Sequence, residues 1–355
     1  MPEKENELTP GKHFPEDIAA PDRAEILSLH AGYGYTAEGE VKLIDTSHGA
    51  DDIRLNYIID KKWVLRLCNA PGMTEKRMGE LNRLIGRYKE FGLRCPAFIP
   101  DKNGLFFHKR GELDCYLSEY VDLRLGIDLP KEEFDRLWDE VLDSVAGFAE
   151  RYRNVDLIDT MGMYSLFDLA PFDIEDGKDE KQKNFESLIE TLRGMGEDAL
   201  SDRLEIKHAD VREKLRAVYR SLPRCVFQAD ENLGNILVDE NGHMAGFIDF
   251  NLAGTEVVVN QFANLGGGFD EENPEPVGAA ARLEKCLSGN KKYIERILNI
   301  YHATELEKQA LRLYDWIAMT AGWPQVCFFK AALDGGPLKQ EVLELLGLLA
   351  ELPCE

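Results

Sequence analysis

The chain changes character once, near Val121, and this change limits its possible folds more than any other feature. Before it, short runs rich in β-branched and aromatic residues predict five strands, at 41–45, 53–59, 63–67, 105–109 and 114–120. After it, apolar residues recur at helical spacing over most of the remaining length. The sequence therefore predicts an α+β fold with two lobes, a small antiparallel sheet with one helix followed by a larger, mostly helical region.

Three regions follow from this pattern. Residues 1–21 carry charges and prolines with little apolar periodicity, so we expect a flexible tail. Residues 22–120 are predicted to form the sheet-rich lobe, and residues 121–355 the helical lobe. Helical spacing predicts helices from Asp22 towards Gly34 and at 74–91, 131–151, 181–193, 211–221 and beyond Pro276. An Asn-Gly step between the runs 235–238 and 244–249 is typical of a tight β-hairpin turn.

Charge and composition argue against several classes of protein. The formal net charge is −23, from 65 acidic and 42 basic residues, and such an excess repels nucleic-acid phosphates and anionic lipid. We therefore expect neither nucleic-acid nor membrane partners, and the charge favours a cationic ligand unless it serves solubility alone. The polar N-terminus, the absence of a membrane-length apolar run and seven scattered cysteines without a CxxC pair predict a cytoplasmic protein. The oligomeric state is left open.

The segment that carries chemistry runs from residue 225 to residue 256. Asp230 is followed five residues later by Asn235, and the predicted hairpin then leads to Asp249 in the sequence Ile-Asp-Phe. Phosphoryl transfer needs an acidic group to orient the attacking hydroxyl and oxygen ligands to hold Mg²⁺ against a triphosphate. Asn235 and Asp249, together with phosphate oxygens, would suffice for magnesium. The hairpin is expected to bring Asp249 back beside the other two residues.

This segment resembles the catalytic and metal-binding stretch of the aminoglycoside phosphotransferase and choline kinase superfamily, written HGDxxxxN followed by IDF or IDW. The resemblance implies a protein-kinase-like fold that uses ATP and Mg²⁺. By this resemblance Asp230 matches the catalytic aspartate, and Asn235 and Asp249 match the metal ligands. Gln228 stands where the family has histidine and Ala229 where it has glycine, and Asn260 lies near a position the family often fills with aspartate. These departures indicate an outlying subfamily.

The N-terminal region adds candidates for nucleotide binding. Arg66, in the run Trp-Val-Leu-Arg-Leu, resembles the basic residue of a kinase β-strand that contacts phosphate, and Glu80 on the next helix is its expected partner. Ser47 lies where a nucleotide-positioning loop would be. The run Ser118, Glu119, Tyr120 and Val121 lies at the lobe boundary and would be the hinge, whose backbone groups contact adenine.

The acceptor is expected to be a hydroxyl group of a small molecule of the aminoglycoside, amino alcohol or sugar type. Tyr314, Asp315, Trp316 and Trp323 form an aromatic and acidic cluster that could hold an amine, although ordinary core residues would give the same pattern. Two other hypotheses stay open. One is a catalytically impaired nucleotide-binding module, suggested by Gln228 and Arg66. The other is a helical binding protein with a chance motif.

Overall fold

The structure is a computed structural model, and it describes residues 8, 10, 11, 14, 15, 18–69, 73–171, 173–269 and 274–354. The chain forms two compact units. Unit 1 comprises Met1–Lys131 and Asn232–Asn251, and unit 2 comprises Glu132–Glu231 and Leu252–Glu355. The predicted N-terminal lobe ends at residue 120, whereas unit 1 extends to Lys131 and also includes the hairpin after Asn232.

Unit 1 is built on a six-stranded antiparallel sheet. The strand order is β1-β2-β3-β6-β4, and β5 also pairs with β6. Its elements are α1 (Arg23–Gly32), β1 (Val41–Asp45), β2 (Arg54–Ile59), β3 (Trp63–Cys68), α2 (Glu75–Phe91), β4 (Phe98–Ile99), β5 (Phe107–Arg110) and β6 (Leu113–Glu119). One face carries the core, because alternate residues such as Leu55, Leu65 and Leu117 are fully buried.

Local chemistry sets the turns and helix ends of unit 1. Asp60 and Lys61 both have positive φ, 52° and 50°, within the three-residue turn that joins β2 to β3. Backbone N–H groups of residues 38–40 donate to the Asp60 carboxylate and lower its pKa against the opposing effect of burial. Helix α2 begins after Thr74, whose side chain accepts from the Arg77 amide, and ends at Gly92 with φ 104°.

Part of the predicted flexible tail packs against unit 1. Leu8, Phe14 and Ile18 are partly buried against the core of the sheet, and the Gly11 amide donates to Asp45 at 2.6 Å. The sequence did not indicate this packing, because these apolar side chains are too widely spaced to show a helical or strand period. The flexibility of the tail stays a prediction. Residues 1–7, 9, 12, 13, 16 and 17 lie outside the described residues.

A second sheet of unit 1 contains the predicted hairpin. Strands β9 (Ile236–Val238) and β10 (Met244–Phe247) pair with each other, and β9 also pairs with β7 (Arg124–Leu125). The Arg94 amide donates to the Ala245 carbonyl at 2.7 Å. These backbone contacts explain why a segment so late in the sequence belongs to unit 1.

Unit 2 is mostly helical. It contains one two-stranded antiparallel sheet, β8 (Arg224–Phe227) with β11 (Gly254–Val257). Its helices are α3 (Phe134–Tyr152), α4 (Glu180–Gly194), α5 (Asp198–Val218), α6 (Val258–Asn264), α7 (Ala279–Leu298), α8 (Glu305–Ala321), α9 (Trp323–Leu333) and α10 (Lys339–Glu351). Of the helices in the described part of the chain, none combines the length and the apolarity needed to cross a membrane.

Candidate active site

Arg66 lies near the middle of β3, on the face of the sheet opposite the core. In the register it stands across from Asn56 on β2 and Tyr116 on β6. Burial opposes the charge on Arg66, but Tyr116 and the Asp249 carboxylate outweigh it and hold the pKa of the guanidinium above its ordinary value. The structure therefore brings together two predicted site residues, Arg66 and Asp249, within unit 1.

Asn235 and Asp249 lie at the two ends of the β9–β10 hairpin. The Ile248 amide donates to the Asn235 carbonyl at 2.9 Å, which ties the residue before Asp249 to Asn235. Asp249 has a φ of 54°, a left-handed conformation that costs a non-glycine residue about 1–2 kcal/mol. Both side chains are partly exposed. The two predicted metal ligands are therefore neighbours.

The donor set suits a hard cation that keeps other ligands. Among the described residues, no group of three or more His, Cys, Asp and Glu side chains is placed to hold a metal ion. An Asn–Asp pair supplies oxygen atoms and leaves the other coordination positions to phosphate oxygens and water. Magnesium fits such a pair, because it prefers oxygen ligands and keeps several waters.

Helix α2 supports the segment that carries Asp249. The Tyr88 ring packs against Phe247 and Phe250, with ring centroids 5.5 Å and 6.0 Å apart. Arg77 donates a hydrogen bond to the Asn251 carbonyl. Contacts therefore flank Asp249 on both sides and fix it relative to α2.

The predicted ion pair between Glu80 and Arg66 is absent from the described part of unit 1. Glu80 is buried on α2, where its carboxylate lies 3.8 Å from Lys76. Burial lowers the pKa of Arg77 to about 10, and Glu80 opposes this shift. Glu80 therefore faces basic residues three and four positions before it on its own helix. A role of Glu80 in nucleotide binding stays a prediction.

Ser47 shapes the loop between β1 and β2. Its side chain is buried and accepts a hydrogen bond from the Arg54 amide at 2.9 Å, and its own amide donates to Asp45 at 2.9 Å. The His48 amide donates to the Asp52 carbonyl, which closes the loop into a tight turn. These bonds give Ser47 a local structural role, and contact with a nucleotide stays a prediction.

The predicted hinge lies at the end of β6. The amides of Glu119 and Tyr120 donate to the carbonyls of Ala97 and Lys62 at 2.9 Å and 2.8 Å. Ser118 is paired within the sheet, opposite Val64 and Phe98. The Val121 amide has no hydrogen-bond acceptor among the described residues. Contact of these four residues with a nucleotide stays a prediction.

Asp230 lies in unit 2, in a loop that begins where β8 ends. The Gln228 side chain is fully buried, and its Oε1 accepts a hydrogen bond from the Asp230 amide at 2.7 Å. Gln228 thus braces the loop from the position that the family gives to histidine. Ala229 has a φ of 65°, which gives a physical reason for glycine at that position in the family. Asp230 itself is partly exposed.

Sequence reasoning missed a cluster of buried and half-buried polar residues around Tyr164 in unit 2. Burial raises the pKa of Tyr164 well above its ordinary value, and the charges of Glu231, Asp230, Glu180 and Glu256 add to the shift. Lys181, also buried, lies 4.8 Å from the centre of the Tyr164 ring. The only signal in the sequence was a glutamate directly after Asp230. The other members come from distant segments.

Most of the aromatic and acidic cluster near the C-terminus is part of the core. Tyr314 and Trp316 are buried, and the Trp316 indole donates to the Leu349 carbonyl at 2.9 Å. Burial raises the pKa of Asp315 to about 6, and Asn290 opposes the rise through a 3.1 Å hydrogen bond. Trp323 is 61% exposed. The alternative that Trp316 and Trp323 are core residues is therefore confirmed for Trp316 and wrong for Trp323.

Two solved structures share this fold. One is amicoumacin kinase hAmiN in complex with AMP-PNP, Ca²⁺ and Ami, at 10% sequence identity and a TM-score of 0.52, covering 93% of this chain and 94% of that chain. The other is an aminoglycoside phosphotransferase from Alicyclobacillus acidocaldarius subsp. acidocaldarius DSM 446, at 14% identity and a TM-score of 0.52, covering 95% and 94%. At these identities the likeness shows the fold alone. No match is found among curated proteins.

A sheet-rich unit followed by a helical unit, with the motif residues at a strand end and a hairpin, defines a protein-kinase-like fold of the small-molecule phosphotransferase type. The model of the phosphotransferase enzyme family matches residues 47–289, more than half of the chain. The chain belongs to this family. The predicted fold class and the predicted superfamily are both confirmed.

Proposed function

We propose that the protein transfers the γ-phosphate of ATP to a hydroxyl group of a small molecule, with Mg²⁺ as cofactor. The observation that carries the proposal is that a member of the phosphotransferase family keeps all three motif residues, Asp230, Asn235 and Asp249. In unit 1, moreover, Asn235 and Asp249 are neighbours, and the charge of Asp249 acts on the cation of Arg66.

The nucleotide side of the reaction is assigned to unit 1. Arg66 would contact the phosphates, because a guanidinium can bridge two phosphate oxygens. The Val121 amide would donate to the adenine ring. Asn235 and Asp249 would hold Mg²⁺, which when bound neutralises charge on the β- and γ-phosphates. The tight bracing of Asp249 would keep its carboxylate in one orientation.

The acceptor side is assigned to Asp230. Its carboxylate would orient the acceptor hydroxyl in line with the γ-phosphate and accept its proton. Several acids lie near Tyr164 in the same unit, and the chain carries a net charge of −23. Both features favour an acceptor with positive charge, such as an amino sugar or amino alcohol, over a neutral sugar.

The alternative of a catalytically impaired module loses much of its support. It rested in part on the loss of the family histidine, and Gln228 makes a hydrogen bond that braces the loop in its place. It also rested on Arg66, whose charge is preserved.

Asp230→Asn tests the proposal. The change is nearly isosteric, so it isolates the loss of charge. A panel of amino sugars, amino alcohols and sugars, followed by ADP release, identifies the acceptor. We then expect Asp230→Asn to lower kcat by about 10²- to 10⁴-fold, because that is the usual contribution of general-base catalysis. ATP affinity should not change.

Two results would count against this assignment. Near-normal turnover by Asp230→Asn would mean that the catalytic group is another residue. Loss of ATP binding by a folded Asp230→Asn protein would place the carboxylate on the nucleotide instead.

A further inference from the structure

Glu231, directly after Asp230, is an acid in the interior of unit 2. Glu231 is 6% exposed, and Gln261 on α6 is fully buried. Gln261 Nε2 donates to Glu231 Oε2 at 2.8 Å, and within the described part of the chain the Oε1 atoms of both residues accept no hydrogen bond. Burying such groups costs free energy that an apolar pair would avoid. Packing alone therefore does not account for the pair.

The pair anchors one side of the Asp230 loop, and Gln228 anchors the other. Gln228 accepts the hydrogen bond of the Asp230 amide at 2.7 Å, while Glu231 connects the loop to α6. Between the two anchors, Ala229 holds a left-handed conformation that an unrestrained alanine avoids. The loop needs both anchors to keep this conformation.

Both anchors belong to connected elements, the β8–β11 sheet and the helix α6 that follows it. Strand β8, which leads into the loop, pairs with β11 from Gly254↔Phe227 to Val257↔Arg224, and α6 starts at the next residue after β11. The loop is thus held at its start by the sheet and at its end by the helix that follows the partner strand. Rotation of the Glu231 peptide would turn the neighbouring Asp230 carboxylate.

We propose that Glu231, held by Gln261, is a positioning residue that fixes the orientation of the Asp230 carboxylate for phosphoryl transfer. This inference rests on the catalytic role proposed for Asp230. In-line transfer is sensitive to such placement, since a shift of about 1 Å in a reacting group can cost roughly 10²-fold in rate. A residue that acts this way changes kcat without changing the affinity for ATP.

Variants at both ends of the hydrogen bond test the inference. We expect Glu231→Leu to lower kcat about 10- to 100-fold, with ATP affinity unchanged. Glu231→Gln keeps an oxygen that can accept the hydrogen bond of Gln261, so it should stay within about threefold of the wild type. Gln261→Met should show a loss similar to that of Glu231→Leu, and the double variant should lose no more than the single ones.

Hydrogen exchange supplies a readout that does not depend on turnover. Backbone amides of residues 228–231 should exchange faster in Glu231→Leu than in the wild type. Glu341→Gln is the matched control. Glu341 is also buried, and it accepts from Arg282 at 2.6 Å and from the Val277 and Gly278 amides, which braces another loop of unit 2. This control should lower thermal stability without changing kcat or exchange at 228–231.

Other results would contradict the positioning role of Glu231, or the catalytic role of Asp230 as well. If Asp230→Asn loses turnover while Glu231→Leu and Gln261→Met keep wild-type kcat, the positioning role is wrong and the proposed function stands. The positioning role is also wrong if Glu341→Gln, which is expected to lose only stability, lowers kcat as much as Glu231→Leu does. If Asp230→Asn keeps its turnover, both assignments fail. Should Glu231→Leu not fold, Gln261→Met decides the question alone.

Discussion

At the scale of single residues, costly backbone conformations mark the parts of the motif. Ala229 and Asp249 both have positive φ, 65° and 54°, although neither is glycine. Such residues cost about 1–2 kcal/mol and persist only where their surroundings hold them. One directly precedes Asp230, and the other is a proposed metal ligand. Two strained positions within one short motif support the view that its geometry serves a function.

Arg66 provides the first prediction at this scale. Arg66→Ala should weaken ATP binding, because it removes the one proposed phosphate-binding cation, whereas Arg66→Lys should be milder because it keeps the charge. Titration of ATP into each variant measures the difference. Arg54 on β2 makes its ion pair with Asp52 and serves as a control arginine from the same sheet. Unchanged ATP binding in Arg66→Ala would mean that the basic contact lies elsewhere.

A second prediction at the scale of single residues concerns Asp249. Asp249→Ala should remove the magnesium-dependent part of ATP binding and leave the fold intact, because two oxygen ligands hold the ion and one of them is lost. The measurement is ATP affinity with and without Mg²⁺, with circular dichroism as the check on folding. A folded Asp249→Ala protein whose ATP affinity responds to Mg²⁺ as the wild type does would contradict the assignment.

The sequence predicted the motif residues but not their supports. Asp230, Asn235 and Asp249 lie within twenty residues, and a hairpin signal connects the last two, so the segment could be recognised locally and the family resemblance then implied the role of each residue. Gln261 and Tyr116 come from other elements, and no local pattern links them to Glu231 or Arg66. The expected Glu80–Arg66 pair failed for the same reason. Contacts between charged side chains of different elements depend on how the helix packs on the sheet, and a local sequence pattern does not predict this.

At the scale of elements, Gly246 fixes the position of the β9–β10 hairpin. A Cβ atom at this residue would lie 1.7 Å from the Arg94 carbonyl oxygen, so any side chain would push the hairpin away. We expect Gly246→Ala to destabilise the protein by about 2 kcal/mol or more, since backbone atoms cannot yield as a flexible side chain can. Mg·ATP affinity should fall as well, because Asp249 follows this hairpin.

Gly79→Ala is the matched control for this prediction. Gly79 lies inside α2, and a Cβ there would meet no atom within 4 Å. Alanine should therefore stabilise the helix by about 0.5–1 kcal/mol. Urea denaturation of both variants compares the two effects. A Gly246→Ala protein as stable as the wild type would show that the close approach to Arg94 is not required.

Helices and strands were predicted correctly where the periodic pattern of apolar residues extends over a long continuous segment. Helix α2, predicted at 74–91, is observed at Glu75–Phe91, and the β1–β3 strands lie within one residue of their predicted bounds. Strands β4 and β7 have two residues each, and β8 and β11 have four, too few to show a period. Helix α5 begins at Asp198, before the predicted start at 211. Two of the four buried residues in its first half, Ser201 and His208, are polar, so the apolar period is weak there.

At the scale of the whole molecule, a very acidic chain also buries acids. Burial raises the pKa of Glu256 to about 8 and that of Glu231 to about 7, although nearby N–H donors oppose both shifts. Burial also lowers the pKa of His208 to about 3 and lowers that of His30. The folded protein thus holds protons on these acids and resists protonation of these histidines. Its stability is therefore expected to fall both when the pH rises and when the pH is lowered.

The linkage between proton binding and folding sets the direction in which each group changes stability with pH. A raised pKa in the folded state gives Glu256 and Glu231 a contribution that is complete below the unfolded value of 4.5 and is lost as pH rises towards 7 and 8. A lowered pKa gives His208 a contribution that is present above 6.5 and is lost as pH falls towards 3. The free energy of unfolding should therefore be greatest in the mildly acidic range and decline towards pH 8.

Glu256→Gln tests this dependence at its largest contributor. The variant keeps the shape of the protonated side chain and cannot ionise, so near pH 5 it should be about as stable as the wild type. Near pH 8 it should be more stable by on the order of 3 to 5 kcal/mol, the equivalent of the pKa shift. Urea denaturation of both proteins at intervals from pH 5 to pH 8.5 measures the difference, and Glu240→Gln, at an exposed position, is the control. A gain that is the same at every pH would mean that Glu256 does not hold its proton in the folded state, because only a proton released on unfolding makes the difference grow with pH.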